Sequence, residues 1–277
     1  MSYDALTRFW RLLFAILTSA SFLLPSVSQL QAQQLKEFDS RYLESPRGGP
    51  QLRKAEQEVL RLTNAFRKQA GQEPLKTERR LEQAAAYFAA FMAQTDKYGH
   101  EADGNKSEDR IAAYEYEACL TAENIAYAMN SDGFTTEDLA RTFFEMWKKS
   151  PPHRDNMLDP DAKEVGIAIA FAPASGRYYV VQDLARPKTA MIHFQATNQT
   201  TETLRYRVKS AGHGEPPSDE IELPPRGTMV HASCRSAKLD WSWTKKDDET
   251  AAENNQQFVI RRTEKGYEVS KQPLREQ

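Results

Sequence analysis

The sequence contains few cysteines, no phosphate-binding motif and no run of basic residues, and each absence excludes a class of protein. Only two cysteines, Cys119 and Cys234, occur among the 277 residues. Two cysteines cannot form a disulfide framework, and because they fall in regions with different patterns, we expect two unpaired thiols rather than one bridge. The chain has no glycine-rich phosphate loop and no dinucleotide fingerprint. A net charge of −2 does not favour nucleic-acid binding.

Long apolar runs are absent after residue 24. Near the N-terminus, two arginines precede the apolar residues 12–24, and Pro25 and several small residues up to Ala32 follow. A basic segment, a short apolar segment and small residues are typical of a secretory signal peptide, which we assign to residues 1–32. We therefore expect an exported protein that is secreted, periplasmic or at the cell surface. It would contact a membrane only if the leader stayed uncleaved.

Residues 33–187 begin with a polar stretch, continue with helical patterns and end in two strands. The polar residues 33–50 end in a stretch rich in proline and glycine, so we interpret them as a poorly ordered linker. Apolar residues at helical spacing then predict four helices, which start near residue 51, Thr77, Ser107, and Thr135 or Thr136. The third helix is expected to run through Tyr114. Residues 164–171 alternate bulky and small side chains and, with residues 177–184, predict a hairpin.

The last part of the chain, residues 188–277, has a different pattern. Seven candidate strands recur with turn signals between them, which predicts a small antiparallel β-sandwich. Residues 245–256 are interpreted as a charged loop. Trp241 and Trp243 lie on one face of a candidate strand, where we expect core packing, and an aromatic binding platform is the alternative.

Residues suited to chemistry concentrate around one predicted helix start. The segment Ser150-Pro-Pro-His153 offers an N-cap oxygen followed by proline at the first helical position. That position tolerates proline because its N–H would be unpaired anyway. His153 and Asn156 are three residues apart and therefore share one face of this helix. Ser150 is explained more simply as the N-cap than as a nucleophile.

Two further ionisable residues stand out by their local setting. His100 follows Gly99 beyond a predicted helix end, and Glu123 precedes Asn124 in the segment Ala-Glu-Asn-Ile-Ala. Spacing alone does not bring these residues together. A histidine at a helix terminus can simply cap or pack, and a glutamate in a loop can simply accept backbone N–H bonds.

In this order, these segments resemble the CAP superfamily, also called the SCP domain or the cysteine-rich secretory protein, antigen 5 and pathogenesis-related 1 family. The resemblance covers roughly residues 55–187 and rests on Gly99-His100, Ala122-Glu123-Asn124-Ile125-Ala126, Trp147-x-x-Ser150-Pro151-x-His153-Arg154-x-Asn156, Leu62-Thr63-Asn64-x-x-Arg67 and Val165-Gly166-Ile167-Ala168. The second glutamate that many eukaryotic members carry after the tryptophan is replaced by Ser150, and their cysteine framework is missing. The site is therefore similar to the shorter bacterial type.

The resemblance implies an α+β fold for residues 51–187. This fold is an α-β-α sandwich, in which a small antiparallel sheet lies between helical layers beside a broad cleft. The resemblance also implies which side chains converge in that cleft: His100, Glu123 and His153, with Asn124, Ser150 and Asn156 as further candidates. It associates such domains with the binding of sterols, lipids and protein partners.

The two histidines allow two kinds of chemistry. The neutral imidazoles of His100 and His153 could hold a divalent metal such as Zn²⁺, but a catalytic zinc usually has three protein ligands. The affinity is therefore expected to be weak unless Glu123 or water completes the shell. Alternatively, Glu123 orients one imidazole, as in a base-and-orienter pair. No oxyanion-hole element can be read from the sequence, and no cofactor is expected to be required.

These observations support one leading hypothesis and two alternatives. The leading hypothesis is an exported, monomeric, non-enzymatic protein that binds a lipid, glycan or protein in the cleft, with the β-sandwich as an accessory module. One alternative is an extracytoplasmic hydrolase that depends on a metal or on histidine. The other is a surface interaction protein that acts through residues 188–277, with the first domain as a scaffold.

Overall fold

A computed structural model describes residues 38–210, 219–243 and 249–274. The expected signal peptide lies outside these residues. Within them, no helix is both long enough and apolar enough to cross a membrane. The described chain forms a part with helices and one sheet up to Pro187, followed by a part built on strands. The expected α+β fold with an additional β region is therefore confirmed.

Four helices of the first part form where the apolar periodicity predicts them, and a fifth starts at Pro151, where the proline after Ser150 predicts it. They are α1 (Leu52–Gln69), α2 (Arg79–Thr95), α3 (Ser107–Ala113), α4 (Thr136–Lys149) and α5 (Pro151–Leu158). Two boundaries differ from expectation. Helix α2 starts after Glu78, whose side chain accepts the N–H of Arg80. Helix α3 stops before Tyr114, because Glu115 has a φ of 63°, which a right-handed helix does not accommodate.

A four-stranded sheet lies between these helices. Its strands are β1 (Lys76–Thr77), β2 (Ala118–Ala128), β3 (Glu164–Ala172) and β4 (Arg177–Pro187), in the order β1-β3-β4-β2. β2 and β3 each run antiparallel to β4, whereas β1 runs parallel to β3. β2 is therefore an edge strand, and the segment around Glu123 is part of this strand rather than of a loop.

Strand β3 separates two helical layers as its alternating sequence predicts. Its bulky side chains join a core with α1 and α4, and its alanines join a second core with α2. A Cβ atom at Gly166 would lie 2.1 Å from the carbonyl carbon of Leu81. Only glycine at this position therefore allows the backbone of α2 to pack directly on the sheet.

Part of the expected linker carries structure. Ser40–Leu43 form a 3₁₀-helix, and the side chains of Phe38, Tyr42 and Leu43 pack against the core beneath α2. The interpretation of residues 33–50 as a poorly ordered linker is therefore wrong for residues 38–43, because three apolar side chains in this polar stretch find a hydrophobic surface.

Eight strands form two four-stranded sheets in the described part of the C-terminal region. They are β5 (Ile192–Asn198), β6 (Leu204–Ser210), β7 (Ile221–Leu223), β8 (Thr228–Ser233), β9 (Ala237–Trp241), β10 (Thr250–Ala252), β11 (Gln256–Thr263) and β12 (Gly266–Pro273). The sheet orders are β10-β9-β6-β7 and β12-β11-β5-β8. The arrangement is mixed rather than antiparallel, because β5 and β11 run parallel, and β10 forms within the expected charged loop.

The interior of this region contains several aromatic rings. Trp241 is only 1% exposed and packs with Tyr206 and Phe258. Trp243 is partly buried and packs against the same core. The expectation of core packing for the two tryptophans is confirmed, and Trp241 is too deeply buried to serve as a binding platform.

The two cysteines form a disulfide bond, so the expectation of two unpaired thiols is wrong. The sulfur atoms of Cys119 and Cys234 lie 2.01 Å apart, and their Cα atoms lie 5.7 Å apart. Cys119 stands at the start of β2, and Cys234 follows β8. The assignment of the cysteines to different regions was correct, but the two regions are in contact where the cysteines meet.

Hydrogen bonds and an ion pair also join the two regions near the disulfide. The carboxylate of Asp161 accepts bonds from Arg186 Nη1 at 3.0 Å and from the backbone N–H and hydroxyl of Ser236, each at 2.9 Å. Arg235 Nη1 donates to Asp159 Oδ2 at 2.9 Å. Because Asp161 is only 1% exposed, these bonds are shielded from water and fix the contact.

Candidate functional site

Strand β2 presents the central residues of the candidate site. Neighbouring residues of a strand point to opposite faces of the sheet. Glu123 faces the layer of α2 and α3, where its carboxylate meets Arg110, and Asn124 faces the layer of α1 and α5, where its amide meets Gln182. Because β2 is an edge strand, side chains from both layers reach the same margin of the sheet.

His100 and Glu123 form a close pair at this margin. The Nδ1 atom of His100 lies 2.7 Å from Oε1 of Glu123. The His100 side chain is 56% exposed, whereas that of Glu123 is 3% exposed. The hydrogen bond to Glu123 raises the pKa of His100 above its usual value, although partial burial opposes this effect. A carboxylate accepts only, so Nδ1 carries the hydrogen and Nε2 is left for the cleft.

Arg110 holds the other side of Glu123. Its Nη2 atom donates to Oε2 of Glu123 at 2.6 Å and to the carbonyl oxygen of His100 at 3.1 Å. Its Nη1 atom donates to Asp103 at 2.9 Å, and its guanidinium lies over the ring of Phe88, 3.5 Å from the centroid. Arg110 therefore fixes both the backbone of His100 and the carboxylate that orients its ring.

The amide of Asn124 ties helix α5 to strand β2. Its Nδ2 atom donates to the carbonyl oxygen of His153 at 3.1 Å and to Gln182 at 2.9 Å. Asn156 in turn donates to Asn124 Oδ1 at 2.9 Å, and Gln182 donates to Thr63 at 3.2 Å. This buried network sets the position of the first turn of α5, and with it the position of His153.

His153 reaches the cleft from the other helical layer. Its ring is partly buried, and this burial, together with the nearby His100, lowers its pKa below the usual value. The two imidazoles are therefore within electrostatic reach of each other. Ser150 caps α5 through its backbone position, without a capping bond from its side chain, and the described structure shows no hydrogen bond from its hydroxyl to either histidine.

The donor set bears on whether the site holds a metal. In the described ranges, no group of three or more His, Cys, Asp or Glu side chains is arranged to hold an ion. Both oxygens of Glu123 already accept bonds, from His100 and Arg110. Glu123 is therefore engaged within the protein and stands behind the His100 ring rather than beside it.

Two cavities lie away from the histidines. One has a volume of about 720 Å³ and lies between α3 and the start of β2, next to Glu117 and Lys188. The other, of about 600 Å³, lies next to Arg79 and Arg80. Neither is lined by His100 or His153, so the candidate site is defined by converging side chains rather than by either cavity.

A family model matches the part of the chain that carries this geometry. The model describes the cysteine-rich secretory protein family, CAP, and it matches residues 60–184. Residues 60–184 form a CAP domain. The resemblance drawn from the motifs is thereby confirmed. None of the curated proteins compared matches the chain at a significant level.

Several solved structures are similar to about half of the chain. An outer surface protein from Borrelia burgdorferi shares 19% identity over 48% of this chain and 92% of its own, with a TM-score of 0.42. An extracellular protein with an SCP domain from Bacillus anthracis shares 19% identity over 49% of this chain and 41% of its own, with a TM-score of 0.41. A cysteine-rich secretory protein from Staphylococcus aureus shares 20% identity over 49% of this chain and 40% of its own, with a TM-score of 0.39.

Sequence reasoning selected six residues near this margin and missed three others. The six are His100, Glu123, Asn124, Ser150, His153 and Asn156, and hydrogen bonds or electrostatic effects link five of them, all except Ser150. The missed residues are Arg110, Asp103 and Gln182. Arg110 and Gln182 differ from other polar residues by being buried. No local pattern in the sequence indicates that burial.

Proposed function

We propose that the protein is exported and that its CAP domain binds a ligand at the margin of β2 without catalysing a reaction. The contact between His100 and Glu123 carries this proposal: a buried carboxylate lies 2.7 Å from Nδ1 of a ring that stays 56% exposed. The carboxylate holds the ring in one orientation. A ring held in this way can bond an incoming lipid, glycan or protein with little further loss of side-chain freedom.

The same contacts favour binding over hydrolysis. Both oxygens of Glu123 accept bonds inside the protein, so this carboxylate is poorly placed to activate a water molecule. The hydroxyl of Ser150 has no hydrogen bond to a base in the described residues. The open polar atoms of the site are therefore imidazole nitrogens, which can bind without further chemistry.

A binding screen of the mature chain tests the proposal. The protein would be applied to a glycan array and to vesicles of phosphatidylcholine with and without an anionic lipid. We expect at least one glycan or one kind of vesicle to bind the protein. His100→Ala or His153→Ala should weaken this binding about tenfold, which corresponds to a loss of about 1.4 kcal/mol of binding free energy. The exposed Arg141→Ala serves as the matched control. A ligand that binds both histidine variants as well as the parent would place the binding site elsewhere.

A hydrolase is the second candidate, and the pairing of His100 with Glu123 is the observation in its favour. A carboxylate that fixes one tautomer leaves the other ring nitrogen as a base. This candidate predicts steady turnover of casein or of p-nitrophenyl acetate that disappears in His100→Ala and in His153→Ala. Such turnover would overturn the non-enzymatic part of the proposal.

A divalent cation such as Zn²⁺ would be held by His100 and His153, with Glu123 orienting His100 from behind. When bound, it would supply a positive charge to an anionic or carbonyl group of the ligand. Because only two protein ligands are offered, we expect weak uptake that rises with pH as the imidazoles lose their protons. Calorimetry with Zn²⁺ on the parent and on His153→Ala measures this uptake.

Interaction through the C-terminal region is the third candidate. Strand β8 is at the edge of its sheet, and Val230 on it is 72% exposed. Because a disulfide joins the two regions, removing residues 188–277 would disturb both. Val230→Lys is therefore a better test than this deletion. If Val230→Lys abolishes binding of a partner and the two histidine variants do not, this candidate is favoured.

A further inference from the structure

Strand β8 has an open edge that lacks the protection found at the other sheet edges. It is the last strand in the order β12-β11-β5-β8. It runs from Thr228 to Ser233 and contains no Asp, Glu, Lys, Arg or Pro. Thr228, Met229, Val230 and Ala232 are exposed. An exposed, uncharged strand edge is a template for pairing with a further strand.

The remaining edges of the described sheets are short, charged or covered, and each of these features discourages the addition of a strand. β1, β7 and β10 contain only two or three residues each. β12 carries the charged residues Glu268 and Lys271. On β2, the carbonyl oxygen of Ile125 accepts bonds from the side chains of Tyr98 and Trp147. Among the described strands, β8 is therefore the edge best suited to pair with another chain.

The hydrogen bonds to β5 show which backbone groups of β8 point outward. The N–H of Asn198 donates to the carbonyl oxygen of Gly227 at 2.9 Å, and this pair continues the register between β5 and β8. Hydrogen-bonded and non-hydrogen-bonded pairs alternate along antiparallel strands. The N–H and C=O groups of Thr228, Val230 and Ala232 therefore point away from β5, toward the open edge.

We propose that two copies of the chain pair their β8 strands antiparallel, about a twofold axis at Val230. In this register, Val230 lies opposite Val230 of the second copy, and Thr228 lies opposite Ala232 of the second copy. Every outward-pointing residue then meets an outward-pointing residue, and each such pair exchanges two N–H···O bonds. The sheet β12-β11-β5-β8 of one copy continues into the same sheet of the other.

The composition of β8 favours a second copy over other occupants. A twofold axis brings a strand against itself, so any charged residue near its centre would meet its own charge, and β8 carries no such residue. The β-branched side chains of two copies of Val230 form a favourable cross-strand pair. Pairing of β8 with β12 of another copy would not close into a dimer, and the charges of Glu268 and Lys271 oppose it. Arg235, which follows β8, is already paired with Asp159.

Sedimentation equilibrium of the purified mature chain tests the pairing. One strand edge is smaller than a standard interface, so we expect monomers near about 10 µM and a growing fraction of dimers toward about 1 mM. Val230→Lys and Val230→Glu should each stay monomeric, because like charges would lie directly opposite each other. Met129→Lys is the matched control, since Met129 is also apolar and is 64% exposed, and this variant should dimerise like the parent.

A mixture of the two charged variants shows whether residue 230 faces its own counterpart. An equimolar mixture of Val230→Lys and Val230→Glu should form dimers, because opposite charges then lie opposite each other. A parent that stays monomeric at about 1 mM would refute the inference and leave the edge to an extended segment of another protein. Dimers of either variant alone, or a mixture that stays monomeric, would place the interface elsewhere and also overturn it. These measurements use the chain alone, so they stand whether or not the binding screen finds a ligand.

Discussion

Arg67 is fully buried although it carries a permanent charge. Its guanidinium donates, at 2.8–3.3 Å, to the carbonyl oxygens of four residues. Glu73 lies in the loop after α1, Met157 in the last turn of α5, and Asp159 and Ala162 in the loop after α5. These loops follow α1 and α5, so one side chain at the end of α1 holds the segment that leads from α5 into β3. Arg67 thus supports the site from a distance rather than taking part in it.

Arg67→Lys should destabilise the protein by about 3 kcal/mol, because a single ammonium cannot reach all the carbonyl groups that the planar guanidinium satisfies. Arg61→Lys on the exposed side of the same helix is the matched control, since the Arg61 side chain is 64% exposed and pairs with Glu58. We expect less than about 0.5 kcal/mol for this control. Urea unfolding measures both, and equal losses would contradict the structural role of Arg67.

Glu56 gives the stability of the protein a pH dependence. It is 7% exposed, its Oε1 atom accepts the N–H of Ile169 at 2.9 Å, and burial raises its pKa from 4.5 to about 7. The folded state thus binds this proton more tightly than the unfolded chain does. The resulting stabilisation is fully present below pH 4.5 and is lost as the pH rises through about 7.

Glu56→Gln should remove this part of the pH dependence. Its amide oxygen can still accept the N–H of Ile169, but the side chain no longer ionises. Between pH 5 and pH 8 the parent should lose on the order of 2–3 kcal/mol of unfolding free energy relative to the variant. Urea unfolding at several pH values measures the difference, and parallel curves would show that Glu56 titrates normally.

The sequence predicted the open residues of the site better than the buried ones that support them. His100, Glu123 and His153 stand in short segments whose order resembles a family, so the residues could be named without a structure. The roles of Arg110, Asp103 and Gln182 depend on partners that are remote in the chain or on a neighbouring strand. An arginine in a short helix looks the same in sequence whether it faces water or a buried carboxylate.

At the scale of elements, the contrast between β3 and β2 shows what periodicity can predict. β3 alternates large and small apolar residues because it packs helices on both faces, so its sequence reveals both its type and its faces. β2 carries Glu123 and Asn124 side by side, and polar networks bury them on opposite faces of the sheet. The period-two apolar pattern is interrupted there, and the sequence alone suggested a loop.

The close packing of α2 on β3 leads to a prediction for Gly166. Gly166→Ala would place a methyl group 2.1 Å from backbone atoms of Leu81, so helix and sheet must separate, at an expected loss of about 3 kcal/mol. Gly71→Ala is the comparison, because Gly71 has a φ of 75° and open space around it. It should lose only about 1 kcal/mol through backbone strain. Thermal unfolding ranks the two variants, and a larger loss at Gly71 would contradict the close approach.

At the scale of the whole molecule, the two regions are joined at several points. The chain continues from β4 into β5, the disulfide joins Cys119 to Cys234, and Asp161 accepts bonds from Ser236 across the contact. The sequence showed the two regions by their different patterns but not their contact. Cysteine count and spacing cannot show that two remote segments approach each other, because this depends on how the regions dock.

The disulfide yields a prediction for the molecule as a whole. It closes a loop with a sequence separation of 115 residues, and such a crosslink stabilises mainly by restricting the unfolded chain. The double variant Cys119→Ser, Cys234→Ser should therefore lose about 2–4 kcal/mol, and calorimetry should show a lower unfolding temperature for it. Reductant should lower the unfolding temperature of the parent toward that of the variant and leave the variant unchanged. If parent and variant unfold at the same temperature, the polar contacts around Asp161 hold the two regions together without help from the disulfide.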